Sequence, residues 1–201
     1  MTGQPVLDRE VETSAGTVRY GIAGNGPPVI LVHGTPTSAF LWRHVIGELA
    51  PGYRVHVYDM PGYGRSAQHE GQDVSLARQG RVLAELVAHW GLERPLIAGH
   101  DIGGTVALRA HLIEGVDAER LALLDTLGLR PSGGGPWGTG LSRHVRAHGL
   151  APFAGIPDFV QRGILERYIG TAMHRPPSPE VMEAYMAPWL GERGRAAFYR
   201  Q

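Results

Sequence analysis

Two short strings carry most of the residues that could do chemistry. The first is Gly99-His100-Asp101-Ile102-Gly103, after an apolar run at 95–98 and before a segment of helical spacing at 103–113. An acidic residue with glycines two positions away on either side suits a sharp strand-to-helix bend. The central residue sits in a strained turn, and its neighbours must lack bulk. A carboxylate near its reference pKa of about 3.9 is ionised at neutral pH, so it attacks a saturated electrophilic carbon without a base. The Ile102 N–H, at the helix N-terminus, points back toward its oxygens. A strand ending in an Asp that caps the next helix gives the same string, and with 29 glycines in the chain both readings stand on the motif alone.

The second string is His33-Gly34-Thr35-Pro36-Thr37-Ser38, after the apolar run 29–32. The string reads as a loop leaving a strand, with Pro36 stiffening its turn. An ordinary strand-to-helix loop with Ser38 as N-cap is compatible with this. A third segment, Asp59-Met60-Pro61-Gly62-Tyr63-Gly64-Arg65-Ser66, carries glycines suited to close packing beside the bend and is given no catalytic role.

The elements that must position these strings alternate in type. Residues 10–13 and 17–22, split by Ala15-Gly16, read as a hairpin. The runs 29–32, 95–98 and 121–124 are continuous and apolar, as in strands covered on both faces, and 53–58 alternates. Helical spacing marks 40–49, 74–90 and 103–113. In the second of these Val74, Leu76, Val82, Leu83, Leu86, Val87 and Trp90 share one face, leaving Arg78, Arg81 and Glu85 for solvent. Repeated strand–helix–strand order predicts an α/β fold: a mostly parallel sheet with helices on both faces. After Leu129 the pattern changes to a loop, Pro131-Ser132-Gly133-Gly134-Gly135-Pro136, and then helical sequence to Gln201 without a further apolar strand. The expected division is an α/β core at 1–129 and a helical cap at 130–201.

The string 33–43, the Asp-x-Pro-Gly-x-Gly-x-Ser segment and Gly99-His100-Asp101 together resemble the haloalkane dehalogenase and epoxide hydrolase group of the α/β-hydrolase fold, with the haloacetate dehalogenases beside them. The resemblance runs from about residue 17 to 129 and is looser over 179–188. It implies that Asp101 is a nucleophile forming an alkyl ester, with the Thr35 and Ile102 amides as oxyanion hole. A His-activated water then cleaves the ester, and a second carboxylate orients that His. Several dehalogenases of the group carry this acid after the strand that 121–124 matches, which points to Asp125. A turn or cap role is the competing reading. Tyr168 and Tyr185 are the candidate cap hydroxyls for protonating an alkoxide, Trp137 and Trp189 the candidate pocket walls, and His100 a candidate substrate contact. Plain packing is the alternative for each.

The chain also departs from the group. Ile102 stands where dehalogenases usually have Trp, and Thr35 where they often have Asn or Trp, so neither side chain supplies the usual N–H to a departing halide. Epoxide is therefore favoured over an organohalide such as a haloacid. The group's catalytic His follows the last strand of the sheet, and His111, His144, His148 and His174 come too early to match. The last strands and that His are expected to be missing, as in a fragment of a longer protein. The alternative is a non-catalytic or biosynthetic tailoring member of the fold.

Composition bounds the rest. The 201 residues, about 1.3 average domains, carry 43% hydrophobic and 19% charged residues, enough to build and solvate a core. Nineteen basic and nineteen acidic side chains cancel, which excludes the broad positive field of a nucleic-acid or anionic-membrane binder. With no Cys there is no disulfide, thiol nucleophile or iron–sulfur cluster. His144 and His148 lack a third ligand, so neither metal nor cofactor is expected. No signal-peptide pattern and no run of about 18 apolar residues is present, which suggests a cytoplasmic protein. The expected partner is a small apolar substrate, and a homodimer is left open.

Overall fold

A computed structural model of the chain describes residues 5–127, 147–149 and 151–201. The strands are β1 (Arg9–Thr13), β2 (Gly16–Ala23), β3 (Pro28–Val32), β4 (Arg54–Tyr58), β5 (Leu96–His100) and β6 (Arg120–Leu124). The helices are α1 (Arg43–Leu49), α2 (Leu76–His89), α3 (Ile102–Leu112), α4 (Ala151–Ala154), α5 (Asp158–Thr171), α6 (Pro179–Met186) and α7 (Gly191–Arg200). Two 3-10 turns, Ala39–Trp42 and Ala187–Trp189, lead out of loops into or between helices.

The strands form one sheet in the order β1-β2-β4-β3-β5-β6. β1 and β2 are an antiparallel hairpin, β2 joins β4 antiparallel, and the remaining pairs are parallel. Apolar residues on both sides of β3 explain its central place. Ile30 and Val32 pack into the core under α2 and α3, while Val29 and Leu31 pack with Val55, Val57 and Trp42 on the other face. From β3 the chain turns to β4 on one side, then returns to β5 on the other. The C-terminal ends of β3 and β5 therefore flank a reversal in strand order, where open α/β sheets bind ligands. Both strings read as chemical, and the Asp59 segment after β4, begin at this C-terminal edge.

Two of the expected helices differ in the structure. The helix predicted at 74–90 begins at Leu76, because Ser75 caps it by accepting the Arg78 N–H. Its Glu85 is tied to the hairpin by the Ser14 N–H at 2.8 Å, not left to solvent. The helix predicted at 40–49 divides into a 3-10 turn and α1, with Ser38 capping the turn through Phe40.

A larger correction concerns 121–124, expected to be buried. Leu123 and Leu124 are 41% and 42% exposed. Among the described residues β6 is the edge of the sheet, so only β5 pairs with it. The helical segment adds Leu165, Ile169, Tyr185, Trp189 and Phe198 to the same core cluster as α2 and α3. The expected boundary at 129, with Trp137, the three consecutive glycines and His144, lies outside the described residues.

Candidate active site

Asp101 joins β5 to α3 with φ 55° and ψ −126°, a backbone conformation that a non-glycine residue adopts only where its surroundings impose it. The imposing contacts are visible. The Asp101 N–H donates to the Leu124 carbonyl at 3.0 Å, and the Asp101 carbonyl accepts from Gly104 at 3.2 Å. A Cβ on Gly99 would run into the Gly103 carbonyl, and one on Gly103 into the His33 carbonyl. The two-residue glycine spacing is thus a packing requirement of the bend.

The loop after β3 crosses directly over this bend. A Cβ on Gly34 would lie 2.5 Å from the Asp101 Cβ. At that distance the Thr35 N–H donates to Asp101 Oδ2 at 2.8 Å, and the Ile102 N–H also bonds the carboxylate. Burial pushes the Asp101 pKa up from the ordinary carboxylate value, while the two amides and the neighbouring His100 pull it down. The sequence reading took it near the reference value; partial loss of solvent at the bend is the reason it is not. Two backbone donors thus hold this carboxylate in one orientation.

His33 fixes the loop from below. It is fully buried, its Nε2 accepts the Met60 N–H at 2.9 Å, and its Nδ1 faces the Gly34 carbonyl at 3.1 Å. These partners assign a neutral ring with the proton on Nδ1. Burial accordingly lowers its pKa to about 4. The Asp59 segment packs against this loop and not against the bend itself. The Asp59 carboxylate accepts the Ala39 and Arg65 N–H groups at 2.7 and 2.8 Å, and Gly64, at φ 50°, leaves room for it.

Of the other predicted residues, His100 ends β5 half-buried, with its Nδ1 buried and unpartnered among the described residues. Asp125 follows β6 at φ 44°, exposed and one strand away from the bend. Tyr168 on α5 lies close enough to Asp101 that this charge, after burial, raises its pKa above the ordinary phenol value. Tyr185 instead packs edge-on to Phe40 at 5.3 Å, and its hydroxyl accepts from Arg43 Nη1 at 3.2 Å. Trp189 is buried, with its indole N–H donated to the Pro36 carbonyl at 2.7 Å.

Sequence reasoning missed Tyr63. Its buried hydroxyl lies 2.6 Å from Thr35 Oγ1, and burial together with the Asp101 charge raises its pKa. Its position between two glycines could have drawn notice, but only the β4–β3–β5 order shows which loop it meets. Two hollows lie elsewhere. One of about 580 Å³, lined by Leu92, Pro95 and Val116, opens at the opposite end of β5. One of about 200 Å³ sits behind the loop that follows β3, between Phe40, Asp59 and Pro188. Among the described residues no cluster of three or more His, Cys, Asp or Glu is placed to hold a metal, and no helix is long and apolar enough to cross a membrane.

A family model described as alpha/beta hydrolase fold matches residues 27–131, more than half of the chain. The chain belongs to the α/β-hydrolase fold family. An alpha/beta hydrolase fold protein from Burkholderia ambifaria superposes with a TM-score of 0.91 at 38% identity, covering 98% of this chain and 71% of that one. Haloalkane dehalogenase 2 of Mycobacterium tuberculosis is 36% identical over 117 residues, which is 56% of this chain and 41% of the relative. Epoxide hydrolase B of the same organism is 42% identical over 85 residues, 41% of this chain and 24% of that protein. The chain thus spans about two-fifths or less of the length of these two α/β-hydrolase relatives.

Proposed function

We propose that the chain carries the nucleophile half of a hydrolase acting on an electrophilic saturated carbon, with an epoxide as the preferred substrate and an organohalide as the second. The observation carrying this reading is the Asp101 carboxylate, held on a strained bend with the Thr35 amide 2.8 Å from Oδ2 and the Ile102 amide beside it. An Asp oxygen attacks a ring carbon, the carbon–oxygen bond of the epoxide breaks, and the alkoxide takes a proton from Tyr168. The products of this step are an alkyl ester on Asp101 and a phenolate that water reprotonates. The elevated Tyr168 pKa keeps that proton in place at neutral pH, and an alkoxide is basic enough to remove it.

Epoxide is preferred over halide for a physical reason. A departing halide needs N–H donors, Ile102 and Thr35 have none in their side chains, and the Trp189 indole N–H is committed to Pro36. Asp125, at the end of the adjacent strand, suits the carboxylate that orients a histidine in the ester-cleaving step. A relative named as a haloalkane dehalogenase and another named as an epoxide hydrolase support the reaction class. Incubation of the chain with styrene oxide, followed by intact-mass and product analysis, tests this. The expected result is one adduct per chain or release of the diol, and neither with Asp101→Asn. Adduct formation undiminished in Asp101→Asn would falsify the assignment.

A further inference from the structure

The Thr35 amide serves Asp101 only while the turn that carries it is fixed to within a few tenths of an ångström. One fixing contact comes from the core, through the Tyr63 hydroxyl at 2.6 Å from Thr35 Oγ1. The other comes from 153 positions further along the chain, where the Trp189 indole N–H meets the Pro36 carbonyl at 2.7 Å. The surroundings of Trp189 leave it little freedom. Its ring is edge-on to Tyr63 at 5.6 Å and to Phe198 at 5.8 Å. Gly194 lets the α7 backbone close on it, since a Cβ there would lie 2.6 Å from the Trp189 carbonyl carbon. Behind it, Gln161 is fully buried; its amide donates to the Trp189 carbonyl at 3.5 Å, and its Oε1 accepts the Tyr199 hydroxyl at 2.8 Å. A chain of buried polar contacts thus runs Tyr199–Gln161–Trp189–Pro36 and ends one residue from the amide on Asp101. Buried polar groups tolerate few arrangements, because each one left unpaired costs about 1–3 kcal/mol.

We infer that Trp189 is a positioning residue: its bond to the Pro36 carbonyl sets the 34–37 turn, so that docking of the helices at 158–200 completes the amide pair on Asp101. This rests on the reading of Asp101 as nucleophile, but its test separates the two. Trp189→Phe keeps a buried ring and deletes the donor. In the ¹⁵N-labelled chain, the Thr35 amide proton is followed through an Asp101 titration, and alkylation by styrene oxide is timed in parallel.

The expected outcome for Trp189→Phe is an upfield move of the Thr35 amide proton, a higher Asp101 titration midpoint and roughly tenfold slower alkylation at pH 7, as the carboxylate loses its fixed direction of attack. A lower Tm with the Thr35 resonance and the Asp101 midpoint unmoved overturns the inference and leaves Trp189 a packing residue. A wild-type chain that is never alkylated, while Trp189→Phe still moves the Thr35 resonance, sinks the nucleophile reading and spares this one. If Trp189→Phe does not fold, Gln161→Met releases the Trp189 carbonyl and retains the indole. The same shifts at smaller amplitude support the inference, and their absence overturns it.

Discussion

At the scale of single residues, Asp101 sits where two amides favour its charge and its surroundings oppose it. Burial is the larger influence and raises the pKa. On the proposed mechanism, ester formation should therefore follow the ionised fraction, rising through a midpoint above that of an exposed aspartate, as a pH–rate profile of alkylation would record. The same shift has a consequence for stability. A carboxyl group whose pKa is higher folded than unfolded favours folding at low pH, and that contribution is lost as pH rises through the folded value. Asp101→Asn should thus melt above the wild type at pH 7, with the gap closing as pH falls. A variant that melts lower at pH 7 would show that the charge is not a burden on the fold.

At the scale of elements, β4 carries a second cost. His56 is buried against Trp90, at 4.7 Å between ring centroids, and both its ring nitrogens lack hydrogen-bond partners among the described residues. Burial, then the Arg54 and Arg9 charges, lower its pKa to about 4. A histidine depressed in this way favours folding above its unfolded pKa of 6.5, and that contribution is lost as pH falls from there toward 4. His56→Phe keeps the ring on Trp90 and should stabilise the protein by about 1 kcal/mol at pH 7. Its advantage should grow by up to about 3 kcal/mol toward pH 4, measured by paired urea titrations. A constant difference across that range would refute the assignment to His56.

The presence of a strand at β4, the continuous run of β3 and the glycine spacing at Asp101 were legible, because each is a local steric or solvation requirement; the alternation at 53–58 did not foretell that β4 is buried on both faces. The Ile102 amide followed from the bend once a strand and a helix flanked it, and the Thr35 amide only from the resemblance to the hydrolase group. The shifted pKa of Asp101, the neutral His33, the use of Tyr63 and the hydrogen bond of Trp189 were not legible. Each arises where segments remote in sequence meet, and no spacing along the chain records such a meeting. The exposed face of β6 escaped for the same reason: an apolar run states what a strand could bury against, not what covers it.

At the scale of the whole molecule, that edge has a measurable effect. Leu123 and Leu124 on β6 and Leu127 just after it are exposed, and among the described residues β6 is the edge of the sheet. An apolar edge strand with unpaired backbone groups is a template for association. The 201-residue chain should therefore show concentration-dependent self-association by light scattering, and Leu124→Lys should reduce it severalfold at unchanged Tm. Equal association in both would direct attention to another surface. A different consequence follows from the span of the contacts around Asp101. The Thr35 amide reaches its carboxylate across 66 positions, and the Trp189 indole reaches Pro36 across 153. Contacts so distant along a chain form late, after the local pieces have settled. On the proposed reading of Asp101, a polypeptide emerging from the ribosome holds that oxygen without its full set of contacts until the helices at 158–200 have docked, so the half-made chain should be a poor target for electrophiles.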